Sequence, residues 1–158
     1  MPDDSSVAFE SSHPFESTRI QAAAVYCSDG RYGEQFDEFL QHGLGLPRYD
    51  RLAVPGGAAC LARHFKLYRE EEGVIEQLKF LIDTHGVERV VLIAHQECAF
   101  YLDRLGVSPL QLETQQREDM RKAVLRVHTF SPSLRVDAYI AWQNLGRVWF
   151  ERIEIGVG

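Results

Sequence analysis

The chain has 158 residues, 45% of them hydrophobic and 25% charged, with a formal net charge of −6. That length suits one domain with a real core, and an acidic balance without any basic run argues against a nucleic-acid partner. No apolar stretch is long enough to cross a bilayer, and the acidic start, Met1-Pro2-Asp3-Asp4, lacks the apolar segment of a secretory signal.

A cytoplasmic, reducing setting is the resulting expectation. There, three cysteines read as metal ligands, reactive thiols or core residues rather than as a disulfide framework. Met1 to Thr18 is rich in Ser, Asp and Glu without periodicity. This predicts a flexible or loosely docked arm over residues 1–18, ahead of a single domain over 19–158. Arg19 to Tyr26 reads as the first strand. Phe36, Phe39 and Leu40, at spacings of three and four, predict a short helix from Gly33 to His42 that ends near Gly43. Tyr49 to Val54 is a second strand, stopped by Pro55-Gly56-Gly57. From Ala58 the pattern turns helical, with an interruption expected at Gly73, and Val74, Leu78 and Ile82 carry it on to Gly86.

Val87 to Ala94 is a third strand, apolar enough to be covered on both faces. A short helix over Phe100 to Leu105 ends at Gly106. Ser108-Pro109 then reads as an N-cap with proline in the first turn of a long helix, with Met120, Val124 and Val127 facing inward. Leu134 to Trp142 is a fourth strand. Asn144-Leu145-Gly146 turns the chain, and Arg147 to Ile155 pairs back. The sum is an α/β fold with a mainly parallel sheet, order 2-1-3-4, an antiparallel terminal strand and flanking helices.

The chemistry-bearing residues fall at two strand ends. If the backbone stays extended past Tyr26, its period of two places Cys27, Asp29 and Arg31 on one side. A thiol, a carboxylate and a guanidinium are costly to bury unpaired. His95-Gln96-Glu97-Cys98 closes the third strand and adds an imidazole and a second thiol. The expected strand order makes these two ends neighbours, at the switch point where such sheets bind ligands. Zinc takes thiolate and imidazole ligands in tetrahedral geometry. Cys27, His95 and Cys98 would supply three of them and leave a position for water. Asp29 and Arg31 fit a bidentate pair beside that position; if Arg31 releases Asp29, its carboxylate becomes a fourth ligand and closes the site. The plainer alternatives make Cys27 and Cys98 small core residues or a redox pair, and Asp29–Arg31 an ordinary ion pair. Cys60 reads as core. His42, His64, His85 and His128 have no paired motif and read as surface or capping residues.

Cys27-Ser28-Asp29-Gly30-Arg31 resembles the Cys-x-Asp-x-Arg motif of the β-carbonic anhydrases, and His95-Gln96-Glu97-Cys98 resembles their His-x-x-Cys motif. The similarity runs from about Ile20 to Ile155. It implies a Zn²⁺ cofactor on Cys27, His95 and Cys98, a catalytic Asp29–Arg31 dyad, and reversible hydration of carbon dioxide to bicarbonate by zinc-bound hydroxide. It also implies a homodimer or higher homo-oligomer with active sites near the subunit interface. Carbon dioxide would sit in an apolar recess, with backbone N–H groups of Gly56, Gly57 and Ala58 as candidates for binding the bicarbonate oxygens. The chain departs from the family pattern at four places. Gly30 stands where Ser is common, and Ala99 follows the second zinc cysteine in place of Gly. Val54-Pro55-Gly56-Gly57-Ala58 replaces an Arg-Asn-Ala-Gly-Asn run, and a polar arm replaces a helical N-terminal extension. Bulky Phe100 and Tyr101 after Ala99 keep in view a zinc hydrolase acting on carbonyl sulfide or carbon disulfide, and an Asp29 held permanently on the metal would favour a non-catalytic zinc-binding domain.

Overall fold

The computed structural model describes residues 4–156; the first three residues of the expected arm, and residues 157 and 158 of the domain, lie outside the described residues. Ala22–Tyr26, five buried residues in succession, form β1. It lies between β2 (Asp50–Ala53) and β3 (Arg89–His95), parallel to both. β4 (Arg135–Asn144) extends the parallel sheet, and β5 (Arg147–Arg152) returns antiparallel to it. The order is β2-β1-β3-β4-β5, the expected α/β arrangement. Strands covered on both faces have no solvent side to mark with polar residues, which is why β1 and β3 read as apolar runs.

Helices cover each face. α1 (Gly33–Glu38) widens into a π-turn over Phe39–Gly43, and its Phe36 and Leu40 share a core with Ala22, Ala24, Tyr26, Val91 and Ile93. On the other face α2 (Tyr68–Phe80) and α3 (Leu112–Phe130) bring Val74, Leu78, Met120 and Val124 onto Val25, Val90, Leu92 and Ile140. Burying one such large side chain is worth about 1.5–3 kcal/mol, so these two layers dominate the stability. At the end of the sheet away from His95, buried Asp137 pairs with Arg89, Arg135 and Arg152 at 2.9, 3.0 and 3.3 Å and ties β3, β4 and β5 together.

Of the expected boundaries that move, three have a local reason. β1 starts at Ala22 rather than Arg19, because the Arg19 guanidinium turns away to donate to the carbonyls of His85 and Gly86 at 2.8 and 2.5 Å. The helical pattern from Ala58 breaks before Gly73, not at it. Gly57–Leu61 is a single 3-10 turn, the chain reverses at Arg63 (φ 60°), and α2 runs from Tyr68 straight through Gly73. A mid-helix glycine costs only about 1 kcal/mol, less than the burial of Val74, Ile75 and Leu78 beside it returns. Ser108-Pro109 does not cap α3. The Gln111 N–H donates to Ser108 O at 3.0 Å, a β-turn with proline at its second position, and α3 begins at Leu112.

Residues 7–18 form neither helix nor strand, and Arg48 holds them by donating to Glu16 O at 2.9 Å and to the Thr18 hydroxyl. Among the described residues, no helix is long and apolar enough to cross a membrane.

Candidate metal centre

Tyr26 and Ile93 are register partners in the sheet, so Cys27 and His95 emerge side by side from adjacent strands. The backbone does not stay extended to Arg31. Asp29 instead caps a 3-10 turn over Gly30–Tyr32 and accepts the Arg31 N–H at 3.1 Å. The Asp29–Arg31 pairing therefore comes from a local turn and not from a strand's period of two. On the neighbouring strand end, Glu97 takes a left-handed conformation (φ 55°), which folds His95-Gln96-Glu97-Cys98 back so that His95 and Cys98 both face Cys27. Such a conformation costs a side-chain-bearing residue of order 1–3 kcal/mol and persists only where the surroundings enforce it.

The three predicted ligands converge. One ligand atom from each of Cys27, His95 and Cys98 lies within 4.8 Å of the others, and the two sulfurs are 3.9 Å apart. All three side chains are buried. His95 Nδ1 is 2.8 Å from Gln96 O, which assigns the N–H to Nδ1 and leaves the lone pair on Nε2. Nε2 is buried and has no hydrogen-bond partner. An orphaned acceptor between two thiols is costly unless something fills the space. A divalent ion that favours sulfur and imidazole nitrogen suits that donor set.

The electrostatics favour thiolate at one sulfur. The hydrogen bond from Cys98, helped by the N–H groups of Gly56 and Asp29, lowers the Cys27 thiol against its burial. Cys98, paired with that sulfur and itself buried, is pushed up. The N–H groups of Phe100 and Tyr101 also point at the Cys98 sulfur. They are ready to stabilise it once its proton leaves.

Beside this cluster Arg31 grips Asp29 with two nitrogens, Nη2 at 2.7 Å from Oδ2 and Nε at 3.1 Å from Oδ1. Those hydrogen bonds hold the Asp29 carboxyl at about 2, so it is ionised throughout the working range. Asp29 stands outside the three-atom cluster. A cavity of about 320 Å³ adjoins the pair, with a polar wall that includes Arg31, Tyr32, Gln35, Gln96 and Glu97. Gly56 lies against Phe100 and Gly57 against the backbone of Tyr26 and Cys27, and Ala58 beside them is buried. A Cβ on Gly56 would fall 2.2 Å from Phe100 Cδ1, and one on Gly57 would fall 2.9 Å from the Cys27 nitrogen, so only glycine allows this approach. The Gly57 N–H is donated to Val54 O at 2.9 Å, and the Gly56 N–H is directed at the Cys27 sulfur.

Residues 17–146 match the protein family described as "Putative carbonic anhydrase". The chain belongs to that family. Among solved structures, this carbonic anhydrase family member is similar to β-carbonic anhydrase isoform I of Trichomonas vaginalis at 14% identity, covering 93% of this chain and 89% of that one (TM-score 0.57). It is also similar to the β-carbonic anhydrase CafA of Aspergillus fumigatus at 15% identity, covering 89% and 78% (TM-score 0.54). At such identities the likeness is one of fold. An uncharacterized protein of Rickettsia conorii is 24% identical over 102 residues, 64% of this chain; the chain spans about half (53%) of that relative's length.

Several residues of this carbonic anhydrase family member that shape the centre escaped the sequence reading. The Tyr32 ring lies 4.6 Å from the His95 ring, tilted by 36°. Buried Gln116 donates to His95 O at 2.8 Å. Asp119, fully buried, accepts from Tyr101 Oη at 2.8 Å and Gln115 Nε2 at 2.8 Å, and lies 2.6 Å from His64 Nε2. His64 sits at the N-cap position of the 3-10 turn Phe65–Leu67, but its side chain makes no cap hydrogen bond there and pairs with that carboxylate instead. A signal was available: Gln116 and Asp119 share the inward stripe of α3 with Met120, Ala123 and Val127. Polar groups on a core face need a reason.

Proposed function

We propose that this chain binds zinc through Cys27, His95 and Cys98 and hydrates carbon dioxide reversibly to bicarbonate. The observation that carries this reading is the orphaned His95 Nε2, turned with two sulfurs toward one point beside an ion-paired Asp29. Bound there, zinc would supply a Lewis acid that lowers the pKa of water and makes it a nucleophile.

The chain's own groups would do the rest. Gln96 O fixes the His95 tautomer, so the metal-facing nitrogen stays unprotonated. Arg31 keeps Asp29 ionised and fixes its plane, leaving the carboxylate to accept a hydrogen bond from the attacking water and set its direction. Asp29 would thus be an orienting acceptor rather than a fourth ligand. The Gly56–Ala58 segment would bound the substrate on the Phe100 side, with Ala58 offering its N–H to a bicarbonate oxygen. We take the active form to be a homodimer or higher homo-oligomer, a view supported by Leu145 and Trp149, which leave 92% and 49% of their surface exposed on the terminal hairpin. Three free thiols suit a reducing compartment such as the cytoplasm.

The test combines metal analysis with stopped-flow carbon dioxide hydration. One zinc per chain with hydration well above the buffer rate is expected. Stoichiometric zinc without hydration would sink the catalytic part, and sulfide release from carbonyl sulfide would then identify the other substrate class.

A further inference from the structure

We propose that Asp119 is a positioning residue for the metal centre, a single buried carboxylate that sets the Cys98 loop against the Cys27 wall, while Gln116 of the same helix holds the end of β3. The inference rests on the zinc reading above.

Asp119 is completely shielded from solvent, and an ionisable group in that position is costly unless donors surround it. Its donors come from separate parts of the chain, each continuous with one wall of the centre. His64 follows the Gly57–Leu61 turn, and that turn's first residue lies against the Cys27 backbone. Tyr101 belongs to the π-turn Phe100–Arg104, and its N–H donates to Cys98 O at 3.1 Å while its hydroxyl reaches Asp119. α3 supplies Asp119 itself, together with Gln115, which donates to it, and Gln116, which holds the carbonyl of His95. The Cys27 wall, the Cys98 loop and the end of β3 are therefore all referred to one helix, and two of them to one carboxylate. Moving that carboxylate would change the distance between the sulfurs. A four-coordinate ion tolerates little such change, since zinc–ligand distances are fixed within about 0.2 Å.

The competing account makes this network an ordinary core staple that adds stability and nothing else. Three measurements separate the two on the full chain. They are zinc affinity by competition with a chromophoric chelator, the absorption bands of the Co²⁺-loaded protein, which report ligand geometry, and the thermal midpoint without metal. The variants are Asp119→Asn, Tyr101→Phe, His64→Ala and His64→Gln. Val127→Ala, buried elsewhere on α3, serves as the stability control. Tyr101→Phe, Asp119→Asn and His64→Ala are expected to weaken zinc binding by about 10–100-fold and to shift the cobalt bands. His64→Gln, which restores a donor toward Asp119, should recover most of the affinity. Val127→Ala should lower the midpoint and leave affinity and spectrum alone. Should Asp119→Asn fail to fold, Tyr101→Phe decides. Variants that lose stability like the control yet keep wild-type affinity and spectrum would overturn the inference while leaving the zinc reading intact. Wild-type protein that takes up no metal would overturn both.

Discussion

Replacing Gly57 by alanine gives the sharpest test of how the metal centre is assembled. Gly57 has φ 52°, and a Cβ there would lie 2.9 Å from both the nitrogen of Cys27 and the carbonyl carbon of Tyr26. Both are backbone atoms, so nothing can rotate aside. The left-handed conformation costs a residue with a side chain roughly 1–2 kcal/mol, and forced overpacking adds roughly 1–3. Gly57→Ala is therefore expected to destabilise the fold by about 2–5 kcal/mol, a large share of the roughly 5–15 kcal/mol of an ordinary domain. Gly56→Ala differs in kind, because its Cβ would strike the Phe100 ring, a side chain with freedom to move. Urea unfolding of the metal-free single variants, and of each combined with Phe100→Ala, compares the two. Phe100→Ala should recover part of the loss in Gly56→Ala and none of it in Gly57→Ala. A Gly57→Ala protein within about 0.5 kcal/mol of wild type, the range of an indifferent surface change, would refute the close-approach reasoning. So would an equal rescue of both variants.

Other expectations concern the ligands and the pH axis. Cys27→Ser and Cys98→Ser should each reduce zinc to well below one per chain after dialysis, read by elemental analysis; full retention in either would remove that sulfur from the ligand set. Asp29→Ala should keep its zinc yet lose most hydration activity, and undiminished turnover would end its proposed role. Activity should rise with pH above neutrality, because two thiolates cancel the ion's formal charge and activate water less than an all-imidazole site, where the pKa is about 7. With Asp29 held at about 2, its protonation should add no loss of activity in the mildly acid range, which a pH–rate profile checks. Burial alone would raise the Asp37 carboxyl, but hydrogen bonds from Tyr49 and Arg51 outweigh it and leave the group lowered. Its folded pKa then lies below the unfolded value of about 3.9. The stability it contributes is present above that value and is lost as pH falls through the folded one. Asp37→Asn should accordingly weaken the protein at neutral pH, and the gap in urea midpoint should narrow progressively as pH falls below the unfolded value of about 3.9; a constant gap would contradict the assignment.

The sheet and the convergence of Cys27, His95 and Cys98 were legible because their signals are short-range. Ala22–Tyr26 and Val90–Ala94 announce covered strands by composition, and a His and a Cys three apart announce a shared target. The wrong boundaries arose where a local preference met a larger packing term: Gly73 is outweighed by its buried neighbours, and Pro109 suits a β-turn as well as a helix start. Asp29 and Arg31 were paired correctly but through the wrong geometry, since an Asx-type turn brings them together without any strand. The Asp119 network was invisible for a different reason. His64 lies 55 residues and Tyr101 lies 18 residues from the carboxylate they share, and no periodicity connects residues across such gaps. Only the misplaced polarity of α3's inner stripe hinted at it.

The 71-residue separation of Cys27 and Cys98 is closed by strand pairing before any ion is considered. Small zinc modules collapse only when their metal arrives; here the Cys-His-Cys socket is finished by hydrophobic layering, and an ion entering it would be a late guest. Chelation should therefore yield an intact empty vessel that can be refilled, so that metal exchange and folding can be studied as two separate equilibria.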